Sequence, residues 1–391
     1  MASVELKKGI YWVGVKNPEL RVFDIIMTTK MGTTYNSYLI VDEKITLVDT
    51  VKDGYQEEFL NNIKSIIGDR NIDYLIVQHT EPDHSGSLRK ILEAYKDIVV
   101  YASKPALINI KEITNMNFNS VEAKEDLCIG ERTLKFISAP FLHWPDTIFT
   151  YSEKDEVLFT CDAFGCHYCD EKSIFNDEVG DFSEEFKYYY DVIMGPFKKY
   201  VLSAIDKIKD LKFDMICTSH GPVLRRDINK YIDMYEKWSR EGIYEEEKSA
   251  VVAYVSAYGY TKTIAENIAK GLKDNGANVY LYDISETDLS EIVDKIERAK
   301  ALIVGSPTIN QDAVKPVWDL LSLICPITNR GKLGVAFGSY GWSGEAIPML
   351  TDRLKGLKFN TELEALKVKF KPSEEDIQRA VELGKTIANK I

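Results

Sequence analysis

The chain has 391 residues, 45% of them hydrophobic, which suffices to bury two ordinary cores, and its formal charge is −12. Residues 1–248 carry 31 basic and 43 acidic side chains and residues 249–391 carry 18 of each, so the excess lies in the first part and no basic stripe suits nucleic acid or an anionic membrane. Ile10 to Val15 is too short for a signal peptide, no stretch approaches a membrane span, and six scattered cysteines make no disulfide framework; a soluble, cytoplasmic protein with reduced thiols is expected.

Strands are predicted over Ile10 to Val15, Leu20 to Thr29, Ser37 to Asp42 and Lys44 to Asp49. Helices over Gly54 to Ile67, Ser85 to Tyr95 and Lys104 to Thr114 follow, alternating with strand-forming runs. Four such runs, Tyr74 to Gln78, Thr133 to Ser138, Val157 to Cys161 and Phe213 to Thr218, each lead into residues of metal-ligand type. These are His79-Thr80-Glu81-Pro82-Asp83-His84, Leu142-His143-Trp144, Asp162, and Ser219-His220-Gly221. Pro82 disfavours helix at Glu81, and Asp83 and Ser85 suit the cap of the helix from Ser85, which leaves His79, Glu81 and Asp83 on a loop and His84 near the helix start.

Seven ligands (His79, Glu81, Asp83, His84, His143, Asp162 and His220) are too many for one zinc, whereas two metals sharing a bridging carboxylate would use them all. Three carboxylates and four imidazoles form a hard set that suits iron or manganese as well as zinc. Asp49, at a strand end, reads either as an acid supporting the ligands or as a turn residue. Cys166-His167-Tyr168-Cys169 is a CxxC with no second pair, best read as a loop beside the metal pocket.

The polar stretch Arg240 to Lys248 marks a domain boundary, giving domains 1–248 and 249–391. Beyond it, strands over Ala250 to Val255, Ala277 to Tyr282, Ala301 to Val304, Leu333 to Phe337 and Ala365 to Phe370 alternate with helices, the pattern of a doubly wound parallel sheet. The first turn, Ser256-Ala257-Tyr258-Gly259-Tyr260-Thr261-Lys262-Thr263, opens a helix predicted over Ile264 to Leu272, and its hydroxyls and amides suit a phosphate monoester. It has neither the GK[ST] of a triphosphate loop nor the GxGxxG of a dinucleotide fold. Ser306-Pro307-Thr308-Ile309-Asn310 and Gly338-Ser339-Tyr340-Gly341-Trp342-Ser343-Gly344 end neighbouring strands, and the combination suits FMN, with Trp342 or Tyr258 against the flavin ring.

These motifs resemble two families in tandem. Residues 1–248 are similar to the αββα metallo-β-lactamase fold in its flavodiiron branch, because the core reads HxExDH, with Glu81 where the zinc hydrolases carry a second histidine; residues 249–391 resemble a flavodoxin. The flavodiiron resemblance implies one iron on His79, Glu81 and His143, another on Asp83, His84 and His220, and Asp162 between them. It further implies a head-to-tail homodimer or a homotetramer, in which electrons from an external donor reach FMN and then the diiron centre, where dioxygen is reduced to water or nitric oxide to nitrous oxide. His167, five residues past Asp162, is a candidate pocket residue that hydrogen-bonds bound oxygen or nitric oxide. The sequence ends without a four-cysteine rubredoxin extension, so the expected donor is a separate molecule: rubredoxin, a rubredoxin reductase chain or reduced coenzyme F420. The competing readings are a binuclear zinc hydrolase with an accessory flavodoxin domain, which Glu81 and the flavodoxin half oppose, and an electron carrier with a degenerate docking domain, which the full ligand set opposes.

Overall fold

The computed structural model describes residues 3–25, 27–241 and 247–391. The chain folds as two compact units, Met1–Arg240 and Glu241–Ile391. The predicted boundary stretch overlaps this division, but residues 242–246 within it lie outside the described residues.

Two sheets form the core of the first unit. One runs, in spatial order, Val4–Lys7, Ile10–Trp12, Tyr38–Val41, Ile45–Val48, Tyr74–Val77, Val99–Ala102 and Asn119–Glu122, antiparallel through Ile45–Val48 and parallel beyond it. The other runs Leu127–Cys128, Thr133–Ser138, Ile148–Ser152, Val157–Cys161 and Met215–Thr218, with only the last pair parallel. Alternation of side chains along each strand sorts the core into layers. Val48 and Ile76 pack inward with Val157, Phe159 and Met215 of the facing sheet. Leu47, Leu75 and Val77 face outward onto residues of the helices Gln56–Ile67, Leu88–Ala94 and Lys104–Thr114. On the far side, Phe149, Leu158 and Ile216 share a core with Ser183–Tyr189, Lys198–Ile208 and Ile228–Glu241. Helix, sheet, sheet and helix thus make the four expected layers.

Two local expectations are corrected. The strand predicted over Leu20 to Thr29 is two short pieces, Val22–Phe23 and Met27–Thr28, because Asp24 and Ile25 adopt φ of 45° and 68° and turn the chain; Ile26 lies outside the described residues. The helix predicted from Ser85 begins at Pro82, which occupies the first turn, and breaks at Gly86 before resuming over Leu88–Ala94. Neither Asp83 nor Ser85 caps it, and the Ser85 hydroxyl instead donates to the Thr80 carbonyl at 2.9 Å. His84 therefore sits inside a short helix.

The second unit is a wholly parallel sheet in the order Asn278–Asp283, Ser249–Tyr254, Ala301–Gly305, Leu333–Tyr340, Leu366–Lys369. Helices Tyr260–Asp274 and Glu374–Ala388 share a core with one face, and Leu289–Arg298, Lys315–Ser322 and Ala346–Gly356 with the other. The chain leaves Ser249–Tyr254 to one side and then crosses to Ala301–Gly305 on the other, which creates a switch point at their carboxyl ends. The first helix starts at Tyr260 rather than Ile264, entered from Gly259 at φ 82°. No helix among the described residues is long and apolar enough to cross a membrane.

Candidate metal centre and flavin edge

Strand ends of both sheets of the first unit deliver polar side chains to one buried point. His79 follows Tyr74–Val77, Asp162 follows Val157–Cys161, His220 follows Met215–Thr218, and His143 stands on the loop between Thr133–Ser138 and Ile148–Ser152. Glu81 precedes the short helix that carries Asp83 and His84. The side chains form two trios. In one, Glu81 Oε2 is 2.8 Å from His143 Nε2 and 3.3 Å from His79 Nε2. In the other, Asp83 Oδ2 is 2.8 Å from His220 Nε2 and 3.4 Å from His84 Nε2. Asp162 turns one oxygen to each: Oδ2 is 3.6 Å from both His79 and His143, and Oδ1 is 3.0 Å from His84 and 3.6 Å from His220.

A surrounding shell fixes how these groups point. Asp146 Oδ1 lies 3.0 Å from His79 Nδ1, and its other oxygen accepts from the Thr80 amide at 2.9 Å and hydroxyl at 2.5 Å. His220 Nδ1 donates to the Thr34 carbonyl at 2.7 Å, and Ser219 Oγ donates to Asp162 Oδ1 at 2.6 Å. With the Nδ1 positions so engaged, Nε2 of His79 and of His220 is the atom each ring would offer to a metal, as in metal-bound imidazoles. Asp49 stands one step further out, accepting from the Gln78 amide at 2.7 Å and side chain at 2.9 Å, and so supports the strand end before His79 without touching a histidine. Sequence reasoning missed Asp146, Thr34 and Ser219. Asp146 had a signal, being an acid three residues beyond His143 in the same loop.

The electrostatics of this cluster suit cations. Burial alone would lower the His79 pKa, yet its bonds to Asp146 and Glu81 raise it well above the usual range. His84 is likewise pushed up to about 9, because Asp83 and Asp162 outweigh its burial. Burial would raise Asp162, but His84, His79 and His220 hold it well below the carboxylate range. Asp83 Oδ1 and His84 Nδ1 are buried without a hydrogen-bond partner among the described residues, and Asp83 Oδ2, His84 Nε2 and Asp162 Oδ2 face only other acids and imidazoles of the cluster. Such groups are costly to bury unless paired or metal-bound, so the donor set fits two hard or borderline cations. One thiol also approaches: Cys161 Sγ lies within 4.8 Å of ligand atoms of His84 and Asp162. Burial pushes this thiol well up, which keeps it protonated and a poor ligand.

His167 packs beside this cluster. Its ring lies 4.3 Å from Phe23, 5.0 Å from Tyr189 and 5.1 Å from His220, with Nδ1 2.9 Å from Thr33 Oγ1 and Nε2 buried without a partner among the described residues. Burial, followed by the charge of His220, lowers its pKa to about 3. Cys166 and Cys169 are free and buried; their amides donate to the carbonyls of His220 and Met31. They hold the loop.

In the second unit, the three loops singled out lie at the carboxyl ends of adjacent strands, at the switch point. Ser256 Oγ accepts from the Lys262 amide at 3.1 Å, Thr263 Oγ1 donates to the Gly259 carbonyl, and Thr261 and Ser339 join hydroxyls at 2.8 Å, tying the first loop to the third. Ser306 Oγ donates to the Pro307 carbonyl and accepts from the Val314 amide, which braces the second loop; within it Thr308 Oγ1 is buried without a partner among the described residues, and Asn310 turns the chain at φ 52°. Tyr258 and Trp342 are 85% and 84% exposed. Two nearly naked aromatic rings, on loops that also carry a hydroxyl without a partner among the described residues and a helix amino terminus, fit a planar, phosphorylated group. Gly341 and Ser343 flank Trp342, and Tyr340 ends the strand before it.

Fold and sites together define a protein with a binuclear metal domain of the metallo-β-lactamase type joined to a flavodoxin domain. The family model described as "ODP family beta lactamase" matches residues 33–221 and the flavodoxin model matches residues 252–384. The chain is 43% identical to "Flavo-diiron protein FprA2" of Clostridium acetobutylicum over 100% of both chains. It is 37% identical to "Nitric oxide reductase" of Moorella thermoacetica, covering 99% of this chain and 98% of that one. Among solved structures, rubredoxin oxygen:oxidoreductase from Desulfovibrio gigas superposes with a TM-score of 0.65 at 31% identity, over 99% of this chain and 98% of that chain. The chain belongs to the flavodiiron protein family, whose cofactors are FMN and a non-haem diiron centre.

Proposed function

We propose that this chain reduces dioxygen to water, nitric oxide to nitrous oxide, or both, taking electrons at FMN from an external rubredoxin-type donor. One observation carries the reading: Asp162 faces both trios with one oxygen each, which is what a carboxylate between two metals requires. In this proposal His79, Glu81 and His143 hold one iron, Asp83, His84 and His220 the other, and Asp162 lies between them. When bound, FMN would supply two reducing equivalents and the pair of irons two between them, which suits the four electrons of dioxygen reduction and the two that couple a pair of nitric oxide molecules. The chain's own residues orient and exclude. Asp146 and the Thr34 carbonyl fix the ligand imidazoles, while Phe23, Tyr189 and His167 wall the pocket against water. His167, neutral and pinned at Nδ1 by Thr33, has Nε2 left to hydrogen-bond oxygen or nitric oxide in the pocket.

For FMN we assign the phosphate to Ser256, Tyr258, Gly259, Tyr260, Thr261 and Thr263. The ring edge goes to Ser306, Pro307, Thr308, Asn310, Ser339, Tyr340, Gly341, Trp342 and Ser343. The domain limits 1–248 and 249–391 and a homodimer or homotetramer belong to the same reading. Reduced coenzyme F420 is a second possible donor, and competition between it and rubredoxin for flavin reduction distinguishes them.

The test is consumption of dioxygen and of nitric oxide, in parallel, by one anaerobically reduced, iron-loaded preparation supplied with rubredoxin. A faster rate with one gas names the preferred substrate; consumption of neither, with the flavin demonstrably reduced, refutes the function. His167→Ala should slow both gases by about 10–100-fold with iron content unchanged, and unchanged turnover would remove its role.

A further inference from the structure

The strand Leu366–Lys369 is the edge of the flavin-unit sheet, beside the strand that ends in the Tyr340–Gly344 loop. Along it, Leu366 and Val368 are buried while Lys367 and Lys369 are exposed on the other face, and Phe370 and Lys371 continue the exposed run. None of the three lysines has an ion-pair partner among the described residues, although Lys315, Lys355, Lys385 and Lys390 of the same unit all do. Residues 249–391 as a whole carry no net charge, so three closely spaced unpaired cations make a local field.

The patch is built onto the loop that carries Trp342. Lys367 Nζ lies 5.8 Å from the centre of the Tyr340 ring, and a Cβ placed on Gly344 would come within 3.1 Å of the Lys367 stem. Phe370 is tied by its amide to the Tyr340 carbonyl at 2.8 Å, and its ring would be 3.2 Å from a Cβ on Gly341. It is 59% exposed and sits at φ 57°, a backbone conformation unfavourable for a bulky residue, which here turns an aromatic ring outward beside the flavin edge. Acids follow at Glu374, Glu375 and Asp376, but they open the next helix, where Asp376 is engaged in the capping box with Ser373.

We infer that Lys367, Lys369, Phe370 and Lys371 form the docking surface for an acidic one-electron carrier protein, which delivers electrons to FMN past the Tyr340–Gly344 loop. This rests on the reading of FMN as the point of electron entry. An exposed ring among unpaired cations matches an interface in which charge steers the encounter and one aromatic contact orients it. Two carrier molecules each lose one electron for every FMN that gains two electrons and two protons, the protons coming from solvent.

The experiment follows FMN reduction by stopped flow in the full, FMN-loaded chain, with a reduced rubredoxin of net negative charge as probe and dithionite as control. The wild type should show a second-order rate that falls steeply with salt. The K367E/K369E/K371E variant should be reduced by rubredoxin at least about ten-fold more slowly at low salt, with the salt dependence abolished or reversed. Its reduction by dithionite and its FMN content should match the wild type. Because Lys367 also packs on Tyr340, K369E/K371E is run beside it and should give an intermediate loss, and Phe370→Ala should slow reduction at every salt concentration. Equal rubredoxin rates in wild type and both charge variants would overturn the inference and leave the lysines as protection of an exposed sheet edge. A wild type that rubredoxin reduces slowly at all salt concentrations would overturn it too, while gas consumption by the dithionite-reduced protein would still uphold the proposed function.

Discussion

The two units hold their cofactor sites by opposite means. In the first, the site is made of charged side chains that are nearly all buried: His79 is 0% exposed, His84, Asp162 and His220 are 1% exposed, and further polar groups hold them. In the second, the site we assign is made of loops and exposed rings, with Tyr258 and Trp342 left in solvent. A metal bonds to specific atoms at fixed distances, so its site must be preorganised by a second layer of contacts. A flavin is gripped largely by backbone, hydroxyls and flat surfaces, so loop shape carries more than residue identity. Damage to the first site should be atom-specific, and damage to the second should come from backbone displacement.

The largest effect should follow from removing the group that both trios face. Asp162→Ala is expected to leave one iron or none per chain and to lower gas turnover by more than about a hundred-fold, with FMN content unchanged. Metal analysis beside the flavin spectrum checks this, and two firmly held irons in the variant would break the assignment. The reciprocal change is Gly338→Ala. Its Cβ would lie 2.1 Å from the Ser306 carbonyl oxygen, so the second loop must move away from the strand Leu333–Tyr340 that leads into the third. We expect a cost of about 1–3 kcal/mol to the second unit and loss of FMN on gel filtration, with both irons retained; full FMN occupancy would mean that the loops tolerate displacement. A smaller effect is expected at Asp146→Asn, which keeps the shape beside His79 but removes the anion. Iron affinity should fall by about 10–100-fold, read by competition with a chelator, and an unchanged affinity would reduce Asp146 to a cap on the Thr80 loop.

This contrast also explains what was legible in the sequence. The convergence of the seven clustered residues could be read because each is a titratable residue type placed after a β-rich run, and strand ends of packed sheets converge. Asp146 was not singled out because its role depends on a neighbour 67 positions away, His79, that only the folded sheets bring to 3.0 Å. The hairpin at Asp24 and Ile25 escaped because apolar residues on both sides imitate one strand, and the signal for the turn is a positive φ that a lone Asp announces only weakly and an Ile not at all. The break at Gly86 was also missed, since a helical pattern resumes in register at Leu88. In the flavin unit the alternation of strand and helix was plain, while the start of the first helix was set four residues late because Tyr260 to Thr263 read as loop and not as helical turn.

The smallest expected effect tests whether the units are as separate in stability as they are in design. Ser373 caps the helix Glu374–Ala388 in a full capping box: its hydroxyl accepts from the Asp376 amide at 3.2 Å, and its own amide donates to the Asp376 carboxylate at 3.1 Å. That helix lies close against Tyr260–Asp274, the helix whose amino terminus is assigned to the FMN phosphate. A Cβ on Gly384 would come within 2.2 Å of the Ile268 carbonyl oxygen, and one on Gly271 within 2.0 Å of the Val381 carbonyl oxygen. Ser373→Ala should cost about 1 kcal/mol, seen as a lower unfolding midpoint for the flavin transition with or without added FMN. The midpoint of the iron-loaded transition should not move. If both midpoints fell together, the two units would unfold as one cooperative body, and the independent losses expected from Asp162→Ala and Gly338→Ala would have to be reread as propagated instability.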